Sequence, residues 1–232
     1  MHRHHLGRLC GREHQMNTVI RFFKRQKGYF WVYALITAAA HCLAYWLPDA
    51  LARSDYRMLG SAFDEAIPVV PGFIYIYVGA YFFWIAAYAY YYAKSRALAD
   101  RLFTADIICK AVGLMVYCLY PCTLKQAAPE EITGFGAWLM KLIYLADKPS
   151  KLLPSMHCYV SILLALPVCS KYARPMPAWL KIAFTAMAVA VCASTLFVKQ
   201  HVFADVYTAL MLAVAAWMLS LLLWRVLDRR RR

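Results

Sequence analysis

The sequence predicts an all-α fold, a polytopic membrane bundle of six transmembrane helices. Three observations carry that prediction. The 232 residues are 63% hydrophobic and only 16% charged, with a mean hydropathy of +0.49. An ordinary soluble domain is roughly 45–50% apolar and about 25% charged, so this chain has too little polar surface to cover a water-soluble core. Second, the apolar residues gather in six stretches, and the length suits about six spans of roughly 20 residues with short loops. Third, the basic residues alternate between the connections in a way that gives the bundle a sidedness. A disordered chain, a secreted mini-domain and a cytosolic enzyme are excluded.

The first 28 residues are basic and irregular, and read as a solvated cytoplasmic arm. His2, His4, His5 and His14 are too loosely spaced for a metal tract. A signal peptide is not expected, because the apolar run that follows is too long and no clear cleavage site is visible. The membrane domain occupies 29–228 and a basic tail 229–232. The spans are predicted at Tyr29–Leu47, Pro71–Ala93, Leu102–Pro121, Pro154–Ser170, Trp179–Val198 and Val202–Leu227. In the third, Asp106 and Lys110 stand four residues apart and can pair on one helix face, which lowers the cost of charge in lipid. Tyr and Trp crowd the span ends, with Tyr88 and Tyr90–Tyr92 closing the second, as interfacial belts do. The run Tyr81–Trp84 reads as packing or lipid-facing rather than as a cofactor box.

Of 26 Lys and Arg, eighteen fall in the arm, in Lys94/Arg96/Arg101, in Lys171/Arg174/Lys181 and in the tail Arg225 with Arg229–Arg232. Seven (Arg53, Arg57, Lys125, Lys141, Lys148, Lys151, Lys199) fall in the alternate connections. The positive-inside rule then places both termini in the cytoplasm and the loops 48–70, 122–153 and 199–201 outside. The net charge of +14 reads as topology signal and anionic-lipid contact, not nucleic-acid binding. Eight cysteines lie mostly in apolar runs without a C-x-x-C pair, and read as packing residues. The acidic pairs Asp64-Glu65 and Glu130-Glu131 read as solvated loops or helix starts.

Two histidines stand at outer span ends. His157 follows Pro154-Ser155-Met156, where Pro154 suits a first helical turn. A helix N-terminus there would offer free N–H groups and positive dipole to a phosphate. His201 and Asp205 are four apart and would share a helix face, the carboxylate holding the imidazole in one tautomer and leaving the other nitrogen free to attack. Ionisable residues at a membrane boundary are functional candidates.

These segments resemble the type-2 phosphatidic acid phosphatase superfamily, six-span lipid phosphatases and phosphotransferases, over about residues 60–226. The family's second motif, Pro-Ser-Gly-His, is similar to Pro154-Ser155-Met156-His157. Its third, Ser-Arg, five residues, His, three residues, Asp, is matched by Ser194, His201 and Asp205, with Thr195 in place of the arginine and Lys199 as a replacement cation. The first motif, Lys, six residues, Arg-Pro, falls on 121–130, where Pro121 and Ala128 occupy the cationic positions; Lys125, Lys148, Lys151 and Lys199 are near enough in sequence to substitute. A lysine supplies a point charge but not a bidentate fork.

The resemblance implies that His201 attacks phosphorus, Asp205 orients it, and His157 protonates the leaving oxygen and then acts as base. It implies that Ser155, Ser194, Lys199 and Lys125 hold the phosphoryl oxygens. No metal or other cofactor is implied. The substrate would be a phospholipid or prenyl phosphate reaching an extracytoplasmic site laterally, in a bacterial inner (plasma) membrane. The expected activity is hydrolysis of a lipid phosphate or diphosphate through a phosphohistidine. Two alternatives stand: a phosphotransferase that passes the phospho-headgroup to an alcohol, and a non-catalytic membrane protein that keeps the fold.

Overall fold

The structure is a computed structural model and describes residues 27–51, 55–173 and 175–230. The basic arm expected over 1–28 lies outside the described residues except for its last two, which begin the first helix, and 231–232 at the tail also lie outside. In chain order the helices are α1 (Lys27–Ala50), α2 (Ala62–Ala66), α3 (Ile74–Lys94), α4 (Arg96–Leu119), α5 (Ala137–Ala146), α6 (Met156–Ala165), α7 (Ala178–Phe197) and α8 (Phe203–Arg230). Five of them, α1, α3, α4, α7 and α8, are long and apolar enough to cross a membrane. The chain is thus a mostly helical, integral-membrane bundle.

The fourth expected span is shorter than anticipated. Ser155 caps α6 by accepting from the Cys158 N–H, so the helix starts only at Met156. At the other end Pro167 cannot supply the next ladder N–H, and the chain tightens into a 3₁₀ turn, Leu166–Cys169. Met156–Cys169 then reaches about 21 Å, short of a hydrocarbon core of ~30 Å. Its apolar side chains face protein instead of lipid: Tyr159, Leu163 and Leu164 are fully buried, and α6 packs against α3, α4, α7 and α8.

The third span starts earlier than expected, at Arg96, because Ser95 caps it through the Leu98 N–H. Its inner charges are paired as anticipated: Lys110 bonds Asp106 one turn away, and the Tyr88 hydroxyl donates to Asp106 at 2.6 Å. Near the end where α3 runs into α4, the Arg101 guanidinium reaches Asp228 of α8 at 2.6 Å and lies over the Tyr172 ring.

At the opposite end the three connections expected outside the membrane meet. Arg57–Leu59 (β1) and Cys122–Leu124 (β2) pair as two parallel strands, Arg57 opposite Cys122, an addition to the all-α expectation. Val70 N–H donates to Phe197 O at 3.0 Å, and the Tyr144 hydroxyl of α5 donates to Val198 O at 2.7 Å. The turn between α7 and α8 is therefore tied to both long loops.

Candidate active site

The α7–α8 turn is built by its backbone. After α7 ends, Lys199 takes the left-handed conformation, φ 50°, that closes many helix C-termini. The Thr195 carbonyl then accepts from both Gln200 and His201 N–H, at 3.0 and 3.2 Å. This folds His201 back toward the bundle before α8 starts at Phe203.

His201 is thus not on the same helix face as Asp205, as the four-residue spacing suggested; it precedes the helix. The pair forms through an N-terminal cap. Asp205, in the first turn of α8, turns its Oδ2 back to accept Val202 N–H at 3.0 Å, and the same oxygen lies 3.1 Å from His201 Nδ1. With its proton on Nδ1, His201 donates to the carboxylate and keeps the Nε2 lone pair free. Burial opposes a charge on this ring, but the Asp205 hydrogen bond and negative charge outweigh it, and the His201 pKa lies above the ordinary histidine value.

The second motif joins the third through one bond, Ser155 N–H to the Asp205 carbonyl at 3.3 Å. Pro154 precedes the cap instead of occupying the first helical turn. His157, two residues past the cap, is 6% exposed, and its Nε2 has no hydrogen-bond partner among the described residues. His157 and His201 border one small cavity of about 30 Å³, together with Asp147, Lys148, Lys151 and Gln200. That volume holds a water or two.

His201 also borders a second, wide cavity of about 780 Å³, facing Lys125, Lys199, Asp64, Glu65 and Glu131. Of the expected phosphate-holding residues, Lys199 and Lys125 line this side, and Lys125 is exposed. Lys199 donates to the Asp64 carbonyl at 2.6 Å; burial lowers its pKa, and the charges of Asp64, Glu131 and Glu65 partly restore it. Ser155 and Ser194 line neither cavity. The first caps α6, and the second donates to the Val191 carbonyl at 2.7 Å.

A family model described as the PAP2 superfamily matches residues 102–232, more than half of the chain. The chain belongs to the PAP2 superfamily. Membership carries phosphatase- or phosphotransferase-type chemistry on lipid phosphates in general terms. No curated protein and no solved structure matches the chain. The PAP2 match contains both histidines and Asp205 but begins inside α4, so α1, α3 and the first long loop stand outside it.

Sequence reasoning missed several residues, most of them in that unmatched part of this PAP2 chain. Asp64 is more than a solvated helix start: its Oδ1 accepts Phe203 N–H at 2.7 Å while its carbonyl holds Lys199, so one residue grips both sides of the His201 turn. Tyr77, Tyr81 and Trp84 surround His157; their spacing of four and three residues places them on one helical stripe, a signal that was legible. Nothing in the local sequence marks Asp147, which accepts from the Tyr45 hydroxyl at 2.8 Å. Among the described residues no group of three or more His, Cys, Asp or Glu converges as a metal site.

Proposed function

We propose that this PAP2-superfamily protein hydrolyses a lipid phosphate or diphosphate through a phosphohistidine on His201, at an extracytoplasmic site of an inner (plasma) membrane. In this reading α6 fills the sixth position of the bundle, both termini are cytoplasmic, and no metal takes part. The supporting observation is that two imidazoles from distant segments border one cavity, with a carboxylate on the far nitrogen of one.

The His201 Nε2 lone pair attacks phosphorus, and the bond to the leaving oxygen breaks as His157 gives that oxygen a proton. His157 then takes a proton from water, the water oxygen attacks phosphorus, and the P–N bond breaks to release phosphate. Lys199 and Lys125 supply positive charge on the wide side, and Lys148 and Lys151 on the other.

A hydrocarbon tail has a place as well. An apolar cleft of about 460 Å³ between α1 and α3 shares His41, Tyr81 and Trp84 with the histidine cavity. The small cavity must open on this side to admit a phosphoryl group.

The test is phosphate release by the detergent-solubilised chain from phosphatidate, a prenyl diphosphate and phosphatidylglycerol phosphate, with a chelator present. His201→Ala and His157→Ala should each lose turnover by a factor of roughly 10² or more. Equal turnover in wild type and both variants sinks the reading. Transfer to an alcohol is the second reading, favoured by the wide mixed-charge cavity beside His201, which has room for a polar acceptor. A labelled lipid product formed without matching phosphate release would select it.

A further inference from the structure

Catalysis as proposed above asks His157 to carry a proton at an unfavourable place. It is the second residue of α6, among the unpaired N–H groups and the positive end of the helix dipole, which disfavour an imidazolium. Three aromatic rings of α3 stand against it. Tyr77 is stacked on the imidazole, centroids 4.0 Å apart at an interplanar angle of 20°. Tyr81 meets it at 5.3 Å and 78°, and Trp84 at 5.1 Å and 51°.

The rings are themselves held. Trp84 Nε1 donates to Ser161 Oγ at 2.9 Å, one turn along the helix that carries His157. The Tyr77 hydroxyl reaches Asp147 Oδ2 at 3.5 Å. Aromatic faces are negative, and they attract a cation placed within about 6 Å of the centroid.

We propose that Tyr77, Tyr81 and Trp84 form an aromatic box that positions His157 and stabilises its protonated form, making them positioning residues for the proton-transfer step. The inference rests on the proposed role of His157 in lipid phosphate hydrolysis. The box lies wholly outside the segment that the family match covers.

Other titratable or charged groups also face the cavity. They are His41 and Tyr45 of α1, His201 of the α7–α8 turn, and Asp147, Lys148 and Lys151 of the segment after α5. Cys158 follows His157 on α6 itself. Replacing a ring by Leu removes none of these, so a change in His157 titration reports on the box.

The experiment compares Tyr77→Leu with Tyr77→Phe in the full chain. Phe keeps the stacked face and loses only the bond to Asp147. Tyr77→Leu should lower kcat about tenfold, with KM within about twofold, and move the alkaline limb of the kcat profile to lower pH; Tyr77→Phe should recover most of the loss. Equal behaviour of the two variants, or a loss without movement of the limb, overturns the box.

A second measurement does not need turnover. In detergent, the ¹⁵N-histidine signal that disappears in His157→Gln should titrate at lower pH in Tyr77→Leu than in wild type; an unchanged titration overturns the proposal. Should wild type turn over no lipid phosphate, the catalytic reading fails while this titration still decides whether the box acts on His157. If Tyr77→Leu does not fold, Tyr81→Leu, at a 40% exposed position, should move the signal in the same direction by less.

Discussion

Asp205 does two jobs with one oxygen, closing the first turn of α8 and orienting His201. Its Oδ1 has no hydrogen-bond partner among the described residues. Asp205→Asn separates the jobs: the amide can still accept from Val202 N–H, but it can no longer attract an imidazolium. If its NH₂ then turns to the ring, it demands the tautomer with the proton on Nε2, the nitrogen that attacks in the proposed mechanism. We expect kcat to fall by roughly 10² to 10⁴. In the proposed mechanism the attacking form is the neutral ring, so the rate should rise as pH climbs through the His201 pKa. That pKa lies above the ordinary value because Asp205 more than offsets burial, and the acid limb of the Asn variant should therefore lie at lower pH. A pH–rate profile checks both, and an acid limb that stays in place removes Asp205 from its role.

The elements around the site depend on close backbone contacts that hydropathy does not reveal. Gly136 starts α5 at φ 87°, and a Cβ there would sit 2.6 Å from the Pro71 carbonyl oxygen. Gly136→Ala combines a left-handed residue, costing about 1–2 kcal/mol, with a collision against backbone. It should lower the melting temperature in detergent, loosen the Tyr144 tie to Val198 and reduce activity, because Asp147 at the end of α5 lines the histidine cavity. A melting temperature equal to wild type would show that α5 is not anchored there.

At this scale the sequence was legible wherever one face meets lipid. The five long helices lie where apolar runs of span length stand, and the Asp106–Lys110 pair followed from spacing alone. What stayed hidden depends on contacts between distant segments. The pairing of Arg57–Leu59 with Cys122–Leu124 crosses the whole of α3 and α4. Asp64 reaches its partners from the short helix α2, more than a hundred residues earlier in the chain. The motif spacing identified His201 and Asp205 as partners but assigned them the wrong local geometry, because four residues can span a helix cap as readily as a helix turn.

For the whole molecule, the bundle has two unlike ends. One gathers the site, the two strands and α5; the other holds Arg96 with Asp100, Arg101 with Asp228, and the basic end of α8. In the proposed function the first end faces water, where a lipid phosphate headgroup would lie, and by the positive-inside rule the excess of Lys and Arg in the sequence assigns the second end to the cytoplasm. The prediction follows from charge and connectivity together, since an odd number of crossings between the termini would put them on opposite sides. If α6 with its 3₁₀ extension takes the chain across as the sixth crossing, the exposed Phe135 at the site end is extracytoplasmic and a tag placed after Arg232 is not. In intact cells expressing Phe135→Cys, a membrane-impermeant maleimide should label the protein above the background of its native cysteines. A cysteine in the C-terminal tag should react only after permeabilisation. Labelling of both in intact cells would mean that α6 does not complete a crossing, and labelling of the tag alone would invert the orientation and place the histidines on the cytoplasmic side.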